Sequence, residues 1–344
     1  MKILLYTDNH FCTNSSIIRS KGEKYSTRLE NQIQSLNWVN QIAIEKGCDR
    51  MIHLGDFFDK PDLSAEELTA LKEIKWNNLP KDFILGNHEI FENHNSLYAL
   101  KDIGEVITEP TEWMCDSTRI VYLPYILECD RKSIKNYMYD DSKYSEYYPP
   151  RKIIILSHND IKGIRYGQYE SKQGFDIEDI YNNCDIFING HLHNQAQIND
   201  KMINLGSLTG LNFSEDGTKY SHCIGILETT TLELELINNP YAFNFYKFDC
   251  SEMTNIEQIK NILAVVHNGV VSIKVPNTLV TEIKELLNHS DVVEYKVSTF
   301  YIKGSIDNNV IDTVHQINHI QKLKDCAIEK FGVSDILLEE LELL

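Results

Sequence analysis

Hydrophobic positions in the first part of this chain form short runs separated by longer polar or amphipathic segments. Short apolar runs bounded by turn residues are typical of buried strands. Residues 27–46 instead repeat their apolar positions every three or four residues and are followed by Gly47, which predicts a helix and its end. Residues 64–75 are a second predicted helix, because Ser64 and Glu67 make a capping box. The predicted strands are residues 3–6, 51–54, 83–85, 120–123, 153–156, 186–188 and 202–205.

Two further strands are predicted before the pattern changes near residue 239. They are residues 223–227 and residues 232–237, and the second alternates apolar and polar positions strictly. The turn residues Asn238-Asn239-Pro240 come after them and indicate a domain boundary. We therefore predict a first domain of residues 1–239.

The remainder of the chain has a different order of elements. Residues 240–304 alternate strand, helix, strand, helix, strand, which indicates a small two-layer α+β module. Residues 305–344 are predicted to be a helical tail, because residues 310–331 carry one apolar stripe and residues 334–344 are rich in leucine. The sequence allows both packing of the stripe on the chain's own module and docking of a partner.

Composition and charge narrow the class of protein. Of 344 residues, 42% are hydrophobic and 24% are charged, as in ordinary globular proteins. No apolar stretch is long enough to span a membrane, and Met1 leads directly into a polar motif, so we expect no removable signal peptide. The eight cysteines are scattered, which favours reduced thiols and a cytoplasmic protein.

Five polar segments carry the candidate chemistry, and each comes directly after one of the predicted strands. Because ligands bind at the carboxyl ends of strands in open α/β sheets, these segments can converge although they are distant in sequence. Carboxylate, imidazole and amide side chains suit a pair of divalent metals. The segments are Asp8-Asn9-His10, Gly55-Asp56-Phe57-Phe58-Asp59, Gly86-Asn87-His88-Glu89, Ser157-His158 and Gly190-His191-Leu192-His193.

Residue types within these segments predict individual roles. A two-metal site needs a bridging carboxylate, and Asp56 is the candidate. His88 lies beside the candidate ligand Asn87 and can donate a proton to a leaving alkoxide or hold a phosphate. Asp59 and Glu89 are expected to orient neighbouring ligands rather than bind metal. Oxygen and nitrogen ligands without thiolate favour manganese, iron or zinc over calcium.

These motifs resemble the calcineurin-like metallophosphoesterase superfamily, and within it the SbcD-type DNA-repair nucleases, including phage recombination nuclease subunits. Ile203-Asn204-Leu205-Gly206-Ser207 and Phe213-Ser214-Glu215 also resemble that family. The resemblance implies a four-layer α/β fold: a β-sandwich flanked by helices, with a small capping domain and a helical tail. It also implies the ligands. Asp8, His10 and His193 would hold one metal, Asp56 would bridge, Asn87, His158 and His191 would hold the other, and His88 would be the catalytic histidine.

The same resemblance implies cofactors, activity and partners. Two divalent ions are expected, above all Mn²⁺, with Mg²⁺, Fe²⁺ or Zn²⁺ as alternatives. The implied activities are 3′-to-5′ exonuclease and endonuclease cleavage of DNA, in the cytoplasm of a bacterium or a phage-infected host. An SbcC-type ABC ATPase would bind the C-terminal helices, and a homodimer is also expected.

One segment departs from the nuclease pattern. These nucleases mostly end the third motif with Asp, whereas this chain has Glu89, as protein Ser/Thr phosphatases do. Those phosphatases, however, continue the second motif with Asp-Arg-Gly, where this chain has Asp59-Lys60-Pro61, and they lack the Gly-His-x-His pair. A protein phosphatase, a small-molecule phosphodiesterase and a non-catalytic scaffold of the same fold therefore stay as alternatives.

Net charge makes DNA binding by this chain alone unusual. Thirty-three Lys and Arg against 51 Asp and Glu give −18, whereas a DNA-binding protein is usually basic. We expect the ATPase partner to supply part of the DNA-binding surface. Candidate contacts within the chain are two groups of basic and aromatic residues, Arg19, Lys21, Lys24 and Arg28, and Lys162, Arg165 and Lys172 with Tyr166 and Tyr169.

Overall fold

A computed structural model describes residues 1–13, 22–92, 94–138, 152–166 and 169–300. The predicted helical tail lies outside these residues. The helices are α1 (Thr27–Glu45), α2 (Ala65–Leu71), α3 (Ile177–Asn183), α4 (Ile256–Leu263) and α5 (Val280–Asn288). The strands are β1 (Lys2–Tyr6), β2 (Arg50–His53), β3 (Lys81–Ile84), β4 (Ile90–Phe91), β5 (His94–Asn95), β6 (Glu105–Ile107), β7 (Thr111–Cys115), β8 (Thr118–Leu123), β9 (Lys152–Ser157), β10 (Arg165–Tyr166), β11 (Tyr169–Glu170), β12 (Ile186–Asn189), β13 (Ala196–Gln197), β14 (Met202–Asn204), β15 (Cys223–Glu228), β16 (Leu234–Asn238), β17 (Asn244–Asp249), β18 (Gly269–Pro276) and β19 (Val292–Phe300).

Two six-stranded sheets stack face to face. The first has the order β16-β15-β1-β2-β3-β6, with β1, β2, β3 and β6 parallel. The second has the order β13-β14-β12-β9-β8-β7, with β8, β9, β12 and β14 parallel. Side chains that alternate along the strands, such as Ile3, Leu5, Ile154 and Ile188, form the buried core between the sheets. Parallel strands buried on both faces explain the continuous apolar runs in the sequence.

Helices cover the outer faces of both sheets. The apolar positions of α1, including Leu29, Leu36 and Val39, pack on the face of the first sheet that carries Leu4 and Tyr6. Helix α3 packs on the second sheet. The layers are therefore helix, sheet, sheet, helix, which confirms the predicted four-layer α/β fold. The capping box of α2 is also present, since Ser64 Oγ accepts from Glu67 N at 3.2 Å.

The module after residue 240 has the predicted order of strands and helices, and its three strands are all parallel. Each helix carries the chain back to the starting end of the sheet, as parallel pairing requires. Helices α4 and α5 pack on one face through Ile259 and Ile283. The other face meets the loop after β14, where Phe213 lies 5.2 Å from Phe245, ring centre to ring centre. The module therefore packs on the loop that also carries Glu215.

Candidate metal centre

The five motif segments meet at one edge of the two sheets. They come after β1, β2, β3, β9 and β12, and all are at carboxyl ends. The segments after β1 and β2 run side by side, with Asp8 N bonded to Gly55 O and His10 N bonded to Asp56 O, both at 3.1 Å. Parallel strands thus place these candidate ligands together despite their distance in sequence.

Backbone strain is concentrated in these segments. Asp8, His10, Asp56 and His191 have φ values of 49°, 44°, 55° and 69°, a left-handed conformation that non-glycine residues seldom adopt. Each such residue costs roughly 1–3 kcal/mol and persists only where the surrounding structure imposes it. These four are all candidate metal ligands, and they are half of the eight described non-glycine residues with a positive φ.

Glycines allow the segments to approach one another closely. A Cβ on Gly55 would overlap the ring of His158, and a Cβ on Gly86 would overlap the carboxylate of Asp56. A Cβ on Gly190 would lie 2.6 Å from the carbonyl oxygen of Leu54. The glycine in each of these three motifs is therefore required by packing around the candidate ligands.

The first cluster consists of Asp8, His10 and His193, whose ligand atoms all lie within 4.8 Å of one another. Asp8 Oδ1 is 3.8 Å from His10 Nε2 and 3.9 Å from His193 Nε2. Both Asp8 Oδ1 and His10 Nε2 are buried, and neither has a hydrogen-bond partner among the described residues. Buried polar atoms are almost always partnered, so this pair fits a bound cation.

The second cluster consists of Asp56, Asn87, His158 and His191. Asn87 Oδ1 is 3.3 Å from His158 Nε2 and 2.9 Å from His191 Nδ1. Asp56 Oδ2 lies 3.1 Å from His158 Nε2 and 3.7 Å from His10 Nε2 of the first cluster. Asp56 therefore sits between the two clusters, where a bridging carboxylate belongs.

Each ligand imidazole has one nitrogen held by an acceptor outside the clusters. A carbonyl or carboxylate oxygen accepts from the protonated nitrogen, which leaves the other nitrogen free to bind a metal. The acceptors are Asp59 for His10 at 3.0 Å, Leu54 O for His158 at 2.7 Å, Asp160 for His191 at 3.1 Å and Glu215 for His193 at 3.1 Å. His191 is thereby set to bind through Nδ1, and the other three through Nε2.

The negative charge of the buried carboxylates in the centre favours the binding of cations. Burial alone would lower the pKa of His10, but the hydrogen bond with Asp59 and the nearby negative charges of Asp8 and Asp56 outweigh it and raise that pKa to about 10. Burial would also lower the pKa of His158, yet the charges of Asp56 and Asp8 raise it to about 9. Conversely, burial opposes ionisation of Asp8 and Asp56, but nearby His158 outweighs it and lowers the pKa of both carboxyl groups. The buried carboxylates thus stabilise positive charge strongly.

His88 lies at the mouth of the first cluster. Its side chain is 41% exposed, and its ring centre is 4.6 Å from that of His10. His88 Nδ1 lies 3.0 Å from the backbone oxygen of Asp59, which can only accept, so Nδ1 carries the proton. Its Nε2 is then the nitrogen that remains for a substrate.

Glu89 and Asp59, expected to orient neighbouring ligands, contact different partners: Asp59 contacts His10, and Glu89 contacts the backbone of two motif loops. Glu89 is fully buried and accepts from Gly86 N at 2.7 Å and from Phe58 N at 3.1 Å. Burial and the charge of Asp56 raise the pKa of Glu89 to about 8. The longer glutamate therefore ties the second motif to the third without reaching a metal position.

Two positioning residues were not assigned a role from the sequence. Asp160, two residues after His158, holds His191. Glu215 belongs to a segment noted for its resemblance, yet its contact with His193 appears only in three dimensions. The one signal in the sequence for Asp160 was that it is an acidic residue close to the candidate ligand His158. No spacing rule connects Glu215 with His193.

The first group of proposed DNA contacts needs a correction at Arg28. This side chain is 4% exposed, and its Nη1 donates to Gly210 O at 3.3 Å, so Arg28 is structural and cannot reach DNA. Lys24 is exposed and forms an ion pair with Glu73. Arg19 and Lys21 lie outside the described residues.

The second group lies after β9. Lys162 is exposed, 3.6 Å from Asp176. Arg165 and Tyr166 form β10, which pairs with β11, while their side chains lie outside the described part of the chain. Neither group forms a continuous basic surface within the residues that the structure describes.

Comparison with known proteins identifies the family. A model of the calcineurin-like phosphoesterase family matches residues 1–195, more than half of the chain, and the chain belongs to that family. It is a metallophosphoesterase-family hydrolase, and its described residues include three overlapping groups of candidate metal ligands, the third being His10, Asp56 and His88. No curated protein matches the chain. None of the helices described is long and apolar enough to cross a membrane.

Several solved structures are similar at low identity. A novel archaeal phosphodiesterase is 16% identical, covering 69% of this chain and 99% of that chain with a TM-score of 0.37. A dimetal phosphatase from Danio rerio is 13% identical, covering 69% and 98% with a TM-score of 0.41. The calcineurin-like phosphoesterase YfkN from Bacillus subtilis is 13% identical, covering 69% and 88% with a TM-score of 0.38.

Proposed function

We propose that this chain is a two-metal DNA nuclease, the exonuclease and endonuclease subunit of an SbcCD-like complex in DNA repair and recombination. The observation that carries the two-metal part is the pair of ligand clusters joined at Asp56. The buried and unpartnered atoms Asp8 Oδ1 and His10 Nε2 support it, because a cation would satisfy both.

The proposed ligands divide between two ions. Asp8, His10 and His193 would hold one with Asp56, and the second cluster would hold the other. Two bound divalent ions, with Mn²⁺ the best match to this donor set, would supply Lewis-acid stabilisation and an activated water for hydrolysis of a phosphodiester.

His88 would act on the substrate directly. The backbone carbonyl of Asp59 accepts a hydrogen bond from His88 Nδ1–H, which leaves His88 Nε2 to face the substrate. From the mouth of the first cluster, and with a second proton on Nε2, it would donate that proton to the leaving oxygen, or a hydrogen bond to the phosphate. We propose this role for His88 in place of metal binding, although its ring also lies close to His10 and Asp56.

Three features favour DNA over a phosphoprotein. The second motif continues Asp59-Lys60-Pro61 instead of Asp-Arg-Gly, the last motif pairs His191 with His193, and a βαβαβ module packs beside the loop that holds His193. Glu89 favours the phosphatase alternative, which hydrolysis of a phosphopeptide would reveal. A complete ligand set argues against a scaffold without activity.

A partner is part of the proposal. Net charge is −18, Arg28 is buried, and both Lys24 and Lys162 are paired with acids. We infer that an SbcC-type ATPase supplies a basic DNA-binding surface and binds residues 310–344, in the cytoplasm of a bacterium or a phage-infected host. A homodimer belongs to the same proposal.

One assay tests the activity. Purified protein with and without Mn²⁺ is offered labelled double-stranded DNA, single-stranded DNA and a phosphopeptide. We expect Mn²⁺-dependent release of nucleotides that is lost in His88→Ala and retained in His94→Ala, an exposed histidine on β5 that contacts no ligand. Hydrolysis of the phosphopeptide with intact DNA would refute the nuclease proposal.

A second experiment tests the partner. A chain ending at residue 309 should lose co-purification with the ATPase and still cleave bis(p-nitrophenyl) phosphate in Mn²⁺. Retained co-purification of the truncated chain would show that the tail is not the docking segment.

A further inference from the structure

Tyr125 lies beside the second cluster and belongs to none of the five motif segments. It comes after β8 at the same sheet edge as the candidate ligands. Its backbone N–H donates to Leu85 O at 2.9 Å, which ties it to the segment that leads into Asn87. Its ring lies against that of His191, with centroids 5.9 Å apart and planes inclined by 38°.

The hydroxyl is the one polar group of the Tyr125 side chain. The side chain is half-buried, and its hydroxyl has no hydrogen-bond partner among the residues that the structure describes. Burial raises the pKa of Tyr125; the negative charges of Asp160 and Asp56 act in the same direction, and the positive charge of Arg131 acts against them. A phenol keeps its proton at neutral pH in any case, so this side chain offers a hydrogen-bond donor beside the second cluster.

Tyr125 and His88 flank different clusters. His88 adjoins His10 of the first cluster, whereas Tyr125 adjoins His191 of the second. A phosphodiester held by both clusters would therefore have the His88 imidazole at one side and the Tyr125 phenol at the other. A phenol can donate a hydrogen bond to a phosphate oxygen without carrying a charge.

We propose that Tyr125 contacts substrate, its hydroxyl donating a hydrogen bond to a non-bridging oxygen of the phosphate bound at the second cluster. The inference rests on the proposed two-metal function and adds a substrate-contacting residue to it. The competing explanation is that the Tyr125 ring only supports His191. It predicts that phenylalanine at this position leaves phosphate affinity unchanged.

The test is Tyr125→Phe, which keeps the ring against His191 and removes the donor. In the Mn²⁺-loaded protein we expect the Kd for inorganic phosphate to rise about tenfold or more, because hydrogen bonds to charged groups are worth factors of about ten to a hundred. The kcat/KM for bis(p-nitrophenyl) phosphate and for DNA should fall by a similar factor. Mn²⁺ affinity should be unchanged. Tyr181→Phe is the matched control, since its hydroxyl bonds Asp200 on the surface.

The outcomes separate this inference from the proposed function. Unchanged phosphate affinity and kcat/KM in Tyr125→Phe, or a loss of Mn²⁺ binding in that variant, would overturn the inference. A loss on DNA without a loss of phosphate affinity would also overturn it, because the hydroxyl would then contact a part of the DNA other than the phosphate. If the wild-type chain binds phosphate but cleaves no DNA, the nuclease proposal fails and phosphate affinity still decides the role of Tyr125.

Discussion

Glu215 should set the metal affinity of the first cluster although it binds no metal itself. Its carboxylate is 1% exposed, with Oε1 3.1 Å from His193 Nδ1. Its Oε2 accepts from Leu211 N at 3.0 Å and from Ser207 Oγ at 3.3 Å, so the carboxylate cannot rotate freely. The perturbation is Glu215→Gln, which keeps the shape and removes the charge that orients His193.

Two independent considerations give the magnitude. Partners that orient a metal-bound histidine typically contribute about 10- to 100-fold in metal affinity. A hydrogen bond to a charged group contributes about 1.5–3 kcal/mol, and each 1.4 kcal/mol is about a factor of ten. Both considerations give a first Mn²⁺ site that is about 10- to 100-fold weaker. The second site should be unaffected, because Glu215 contacts none of its ligands.

The assay is calorimetric titration of Mn²⁺ into metal-free protein, in which two binding steps are resolved. Glu67→Gln is the matched control: Glu67 is also fully buried and accepts from Ser64 N and Thr13 N, but it contacts no candidate ligand. If both Mn²⁺ steps are unchanged in Glu215→Gln, or if Glu67→Gln weakens the first step equally, the reasoning is refuted.

Three further predictions concern the centre itself. Asp56→Asn should lose both ions, because this carboxylate lies near His10 Nε2 and His158 Nε2 of the two clusters; metal analysis that finds one ion retained would contradict this. Gly190→Ala should lower the free energy of unfolding in urea by about 1–3 kcal/mol through overpacking. An unchanged free energy of unfolding would show that the loops can move apart to accommodate the added methyl group. In the metal-free protein His10 and His158 have pKa values of about 10 and about 9, so at pH 7 Mn²⁺ must displace their protons. Affinity should therefore rise with pH, about tenfold per unit for each proton displaced, and level off above these pKa values; an affinity independent of pH in calorimetry would exclude such coupling.

The sequence predicted most of the elements near the site and missed weaker ones. The central strands were recognisable because their residues are apolar on both faces. The helix α3 and the strand β6 were not predicted. Helix α3 has only seven residues and buries Ile180 alone, and β6 has three residues, too few for a periodic pattern.

The sequence by itself determined the chemical types of the ligands and the edge at which they meet. A side chain directly after a parallel strand lies at the carboxyl end of the sheet whatever the rest of the chain does. For this reason Asp56 could be expected at the same edge as the other candidate ligands before any distance was known.

Only the tertiary structure decided which atoms face the centre and which charges are free to act. The contact of His193 with Glu215 spans 22 residues, and that of Arg28 with Gly210 spans 182 residues. Such contacts depend on how loops from different elements pack, which no local spacing encodes. The same reason applies to Tyr125, which acquires a candidate role only because β8 ends beside the ring of His191. Local pattern determines an element and the residues directly after it, whereas the partner of a side chain is decided when those elements are packed together.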